Sequence, residues 1–292
     1  MLYDLSLHMS YAYDTSASGA HHVVRLLPLS LPDRQRRIAG SLTVEPRPEE
    51  TSNFLDFFQN PTTYTHLRAP HDRLDIRMQA RVMVHGLPVT ADFSPRLEKM
   101  PAELADYWSL DATSPHHFIG ASPRLAEVPA ISAYARETLK PGDTVRQIAE
   151  KLCTRIYGDF TYDGEATSVD TTPKEAFDLM RGVCQDFSHI MILALRSLGI
   201  PAGYVSGFLR TIPPPGKERL EGADAMHAWV RVWCGVTTGW IELDPTNDIP
   251  AGTDHIVVAY GRDYSDVAPV IGALKTYGGH KIEQAVDVIP IK

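Results

Sequence analysis

Ile190, Met191, Ile192, Leu193, Ala194 and Leu195 follow one another without a polar residue, and Gly199 and Pro201 close the segment behind them. On a helix of 3.6 residues per turn, such a run presents apolar side chains in every direction. A helix of this kind has no solvent face, so the segment from about Cys184 to Leu198 is expected to be the buried spine of a domain. Gly182 and Cys184 stand at its start.

Two more helices lead into the spine. Thr144 with Gln147 forms a capping box, Val145, Ile148, Leu152 and Ile156 share a face, and Gly158 serves as a stop. Thr172, with Pro173 at the first helical position and Glu175 completing a second box, opens a short helix ending at Gly182. After the spine come strand-like segments: Ala202 to Arg210, Met226 to Cys234, Gly239 to Asp244 and Ile256 to Tyr260. Helices followed by strands predict an α+β domain, a Cys-bearing helix packed on an antiparallel sheet.

The start of the chain reads differently. Leu5, Leu7, Met9, Tyr11 and Tyr13 alternate with polar or small residues, and the pattern returns from Leu74 to Val84. Shorter runs lie at Val23 to Leu29 and Ile38 to Val44. This period of two predicts an all-β region. The expected division is therefore residues 1–95 β-rich, 96–130 a crossing segment with short helices, and 131–292 the catalytic domain.

Composition limits the function classes. The chain is 43% hydrophobic and 22% charged, which suits a sizeable core, and a net charge of -8 with no Lys/Arg run argues against nucleic acid. No stretch approaches the roughly 18 apolar residues of a membrane span, and Met1, Leu2, Tyr3, Asp4 do not open a signal peptide. No membrane partner and a cytoplasmic location are expected. Three scattered cysteines suit a reducing compartment rather than a disulfide framework. No sequence feature sets the oligomeric state.

Cys184 is the candidate nucleophile, because unpaired N–H groups and the dipole at a helix start stabilise a thiolate. A nucleophilic cysteine needs a base and a group to orient that base. On the strand from Met226 to Cys234, alternation places Met226, Ala228, Val230 and Val232 on a core face and His227, Trp229, Arg231 and Trp233 on the other. Trp240, Glu242 and Asp244 share a face on the next strand. A two-residue hairpin at Gly235-Val236 would set His227 directly opposite Asp244, a register shifted by two would make them diagonal neighbours, and a shift of one would separate them. His189 projects away from the thiol and is left out of the triad. Asp186 reads as a capping residue. The pairs His21-His22 and His116-His117 lack the companions of a metal site.

Gly182-Val183-Cys184-Gln185-Asp186-Phe187-Ser188-His189, Leu198-Gly199-Ile200-Pro201-Ala202, His227-Ala228-Trp229 and Leu243-Asp244-Pro245-Thr246-Asn247 resemble, in that order, the core of bacterial transglutaminase-like proteins. The β-rich start resembles the N-terminal domain that accompanies this core, and His255 to Val267 its C-terminal block. The resemblance implies a papain-like core with Cys184, His227 and Asp244 as the catalytic triad, no cofactor or metal, and a peptide or protein amide as substrate. It leaves the chemistry after acylation open; acyl transfer through a thioester is expected, with hydrolysis favoured because no amine-specific feature is visible, and amine transfer open. A rival keeps the fold but makes it a non-catalytic binding or assembly module whose Cys184 and His227 are structural or hold zinc. A third reading is acyl transfer from a thioester donor, as in arylamine acetyltransferases.

Overall fold

The strand that opens the chain persists well past Tyr13. In the computed structural model, which describes residues 1–86, 91–211, 222 and 224–291, β1 runs from Leu2 to Val24. Such a long strand serves two partners on each side, all antiparallel. Its first half pairs with β5 (His71–Val84) and its second with β4 (Pro61–Leu67). Between them Gly19 adopts φ of +56°, where a side chain would clash with its own backbone. β2 (Gln35–Glu45) extends β5, and β3 (Glu50–Leu55) extends β4. The other edge of β1 is taken by strands from the far end of the chain: β14 (His280–Ile291) along the first half and β13 (Val270–Lys275) along the second. Residues 270–291, which the linear division places with the catalytic domain, thus complete a seven-stranded N-terminal sheet.

The crossing segment holds the short helix α1 (Met100–Ala105) and two 3-10 turns, and leads to α2 (Pro129–Glu137). Both predicted capping boxes are formed, on α3 (Val145–Asp159) by Thr144 and Gln147 and on α4 (Pro173–Leu179) by Thr172 and Glu175. Two ends differ from expectation. α3 continues through Gly158 to Asp159, and α4 stops at Leu179 because Met180 turns left-handed at φ of +51°. The chain then forms a two-residue parallel pair, β6 (Thr161–Tyr162) with β7 (Arg181–Gly182), before α5 (Cys184–Ser197) begins. Every residue of α5 from Gln185 to Arg196 is buried, as its composition demands. Arg196 is tolerated there because its guanidinium donates to the carbonyls of Ala202, Gly120 and Arg262.

α5 packs on a five-stranded antiparallel sheet ordered β11 (Ile249–Pro250), β10 (Trp240–Asp244), β9 (Ala225–Trp233), β8 (Ala202–Leu209), β12 (His255–Gly261). Both faces of β9 are covered. Ala228, Val230 and Val232 join the main core with the helix, while Trp229 packs with Val205, Val257 and Leu29. Arg231 is buried with its guanidinium 3.8 Å from the Trp240 ring centre and 4.5 Å from that of Tyr260. The second face therefore meets the N-terminal segment rather than water. Gln35 and Asn60 hydrogen-bond the outer edge of β12 at Val257 and Tyr260. Arg34 forms a two-pronged ion pair with Glu242, whose side chain is 7% exposed. No helix among the described residues is long and apolar enough to cross a membrane.

Candidate active site

The mouth of α5 is fixed from three directions. β7 is held to β6, Asp163 N–H donates to the Gly182 carbonyl at 2.9 Å, and Val183 N–H donates to Asp186 Oδ2 at 2.8 Å. Thr167 hydroxyl donates to the same oxygen at 2.7 Å. Glycine is required at 182 by space: a Cβ there would lie 2.4 Å from Asp186 Oδ2. Burial raises the Asp186 carboxyl pKa against the opposing bonds from Val183 and Thr167. Asp186 and Phe187 N–H groups reach the Val183 carbonyl, and no acceptor among the described residues takes the N–H of Cys184. Cys184 is half-buried, whereas Cys153 and Cys234 are buried.

His227 and Asp244 meet as the strand faces predicted, by a different connection. The hairpin at Gly235-Val236 is not formed; the short helix α6 (Gly235–Thr238) joins β9 to β10 instead. Gly235 accommodates it with φ of +87°. The ladder pairs Trp233 with Trp240 and Val230 with Leu243, the register that makes His227 and Asp244 diagonal neighbours. His227 Nε2 lies 2.8 Å from Asp244 Oδ2. With Nε2 engaged, Nδ1 is the nitrogen left for Cys184, which lines the same cavity. Burial opposes a charge on the imidazole, but Asp244 and the neighbouring Cys184 outweigh it and lift the pKa to about 10.

Asp244 is more heavily bonded than the sequence reading foresaw. Beyond His227, its Oδ2 receives Asn247 Nδ2 at 2.7 Å and His255 Nε2 at 3.2 Å, and Oδ1 receives the Thr246 N–H at 2.9 Å. Gly252 N–H donates to His255 Nδ1, so the His255 proton must sit on Nε2 and point at Asp244. Burial works to raise the Asp244 pKa, yet these donors hold it well below the usual carboxylate range. His227, Asp244 and His255 bring one ligand atom each within 4.8 Å, a spacing that a metal could also use. The fixed His255 tautomer instead supplies a hydrogen-bond donor there. Asn247 lay within a motif block and His255 at the start of another, but no spacing rule linked either to Asp244.

The remaining candidates lie elsewhere. His189 is buried in α5 and accepts the Tyr264 N–H at 3.2 Å, with burial pulling its pKa down to about 3. His21 bonds Tyr64 and stacks on His66, and His116 and His117 reach the carbonyls of Tyr107 and Asp111. One residue the sequence did not offer is Tyr204. It is buried on β8, lines the same cavity as Cys184 and His227, and burial followed by the nearby Cys184 charge raises its pKa, so it stays protonated.

A helix-borne cysteine and a His-Asp pair carried on an antiparallel sheet define a papain-like core of the transglutaminase type. The chain belongs to the bacterial transglutaminase-like family: residues 132–245 match the transglutaminase-like superfamily core and residues 3–83 the bacterial transglutaminase-like N-terminal region. An uncharacterised protein of Mycobacterium tuberculosis is 37% identical over 272 residues, which is 89% of this chain and 83% of its own length. One from Mycobacterium leprae is 29% identical over 281 residues, 95% of either chain. The crystal structure of a protein assigned as a cysteine protease from Cytophaga hutchinsonii superposes with a TM-score of 0.77 at 19% identity, covering 100% of this chain and 92% of that one. At that identity the likeness speaks for the fold.

Proposed function

We propose that the protein is a cysteine-dependent acyl-transfer enzyme that cleaves peptide-like amides, with Cys184 as nucleophile, His227 as acid and base, and Asp244 orienting the imidazole. The observation that carries this reading is His227, bonded to buried Asp244 through Nε2, lining one cavity with the partly exposed Cys184. His227 takes the thiol proton, and the sulfur adds to the amide carbonyl carbon. The N–H of Cys184, without a protein acceptor, is placed to receive the oxyanion. As the C–N bond breaks, His227 returns the proton to the departing amine and a thioester remains. Water, deprotonated by His227, then attacks the thioester, the C–S bond breaks, and the acid leaves with the thiol restored. An amine in place of water gives transfer. Three free cysteines suit a reducing, cytoplasmic setting.

Intact-mass analysis after incubation with a peptide library tests the reading. An acyl adduct on the native chain that is lost in Cys184→Ala is expected. Absence of any adduct, with iodoacetamide also failing to modify Cys184, would return the protein to the binding-module class.

A further inference from the structure

Cys184 and His227 line a cavity of about 640 Å³, well within the size range of small-molecule and peptide sites. Another part of its lining does not belong to the catalytic core. It is made by Met9, Tyr11 and Tyr13 of β1, Leu274 of β13 and Ile282 of β14. The reason lies in β1: Leu5 and Leu7 are buried in the core, and the same apolar stripe continues through Met9 to the half-buried Tyr11 and Tyr13. At Tyr11 and Tyr13 the stripe lines the cleft while still packing against the edge of the core. Two apolar side chains of this lining stand open, Ile271 at 44% and Ile282 at 51% exposure.

The charge pattern is as one-sided as the shape. Among the described lining residues no carboxylate occurs, and the one permanent cation, Arg124, is engaged with the Val169 carbonyl and the Asp170 carboxylate and lies over the Tyr264 ring. A cationic group entering this space would lose water and find no carboxylate, and an anionic one would meet only Arg124 and His227, each already paired with a carboxylate, while an apolar group would gain about 25 cal/mol for each Å² it covers. The part of an amide that remains on the sulfur as a thioester must be held through both chemical steps, so the cleft suits the acyl side.

Resting on the acyl-transfer reading above, we propose that the substrate carries a large uncharged apolar or aromatic group on the acyl side of its scissile amide. This group is held between the core and the wall of β1, β13 and β14. The N-terminal sheet and the C-terminal strands are thereby part of the substrate site, and they set its specificity.

The full chain is treated with acetyl-Xaa chloromethyl ketones in which Xaa is Phe, Leu, Ala, Gln, Glu or Lys, and Cys184 alkylation is followed by intact mass. Phe and Leu are expected to react about tenfold or more faster than Ala and Gln, and faster still than Glu and Lys. Ile282→Glu, at a half-exposed position, is expected to erase the Phe advantage and raise the Lys rate; Ile271→Glu is the second probe of the same wall. Equal rates across the series, or selectivity unchanged in both variants, overturn the inference. Iodoacetamide has no side group to seat, so its failure to label Cys184 would strike the acyl-transfer reading instead.

Discussion

Asp244 Oδ2 accepts from His227, His255 and Asn247 at once, so the orientation of the His227 ring is set by a carboxylate that is itself immobilised. His255→Phe removes one charge-assisted hydrogen bond, about 1.5–3 kcal/mol, and leaves Asn247 and the Thr246 N–H in place. Turnover of an activated acyl ester should fall about ten- to a hundredfold with KM little changed, and His255→Gln, which restores a donor, should recover part of it. A loss confined to KM would show that His255 does not act through Asp244. The His227 pKa, lifted from 6.5 to about 10 mainly by Asp244 and Cys184 against burial, ties stability to pH. A raised pKa in the folded state stabilises fully below 6.5, and that contribution is lost as pH climbs through about 10. Because Asp244→Asn removes the first of the upward causes, its urea midpoint should approach that of the native chain between those two values. A gap that stays constant across the window would sink the assignment. Cys184, His227 and Asp244 were legible because each stands in a short block with a structural role of its own. His255 was not, since it starts β12, which the sheet order separates from β10 by two strands. Periodicity gives faces but not strand order.

Among the elements, local chemistry was read well and connections less so. Thr144 and Thr172 marked their helices because a capping box is made from residues three apart. The β9–β10 register was left open: Gly235 opens a helical turn rather than the supposed hairpin, and the register found is the one shifted by two, which makes His227 and Asp244 diagonal neighbours. The edge of β12 shows what sequence pattern cannot show. An exposed edge strand invites pairing with another chain, and here it is closed by side chains. Gln35 Nε2 donates to the Val257 carbonyl at 2.7 Å and to the Leu29 carbonyl at 2.8 Å, while its Oε1 accepts the Val257 N–H at 2.8 Å. Gln35→Leu would keep most of the volume and strand the buried Val257 N–H, so a loss of about 2–4 kcal/mol in urea unfolding is expected. A cost below about 0.5 kcal/mol, the range of ordinary surface changes, would mean that water closes this edge as well as the amide does.

Taken together, these contacts join two regions that the sequence presents as successive domains. The chain leaves the N-terminal sheet after β5, builds the core, and returns through β13 and β14 to line β1 along most of its length. Val288 N–H donates to the Asp224 carboxylate just ahead of β9, and Tyr3 hydroxyl donates to Asp254 just ahead of β12. Arg34 reaches Glu242, whose carboxyl is driven up by burial but held down to about 2 by that guanidinium with Trp229 and Tyr260. Removing one partner of such a buried pair costs about 3–5 kcal/mol, so neither half can open without the other losing a comparable amount. One cooperative unfolding transition is therefore expected in place of two. The four tryptophans, at positions 108, 229, 233 and 240, all lie outside the N-terminal strands, and Trp229 also packs on Leu29, so their fluorescence follows the core and its seam with the N-terminal segment. Far-UV circular dichroism follows both sheets. In urea the two signals should share a midpoint, and Arg34→Met should shift both together. If the tryptophan signal held while a large part of the dichroism was lost, the N-terminal sheet would be a separable module, and its place in the lining of the cleft beside Cys184 would have to be given up.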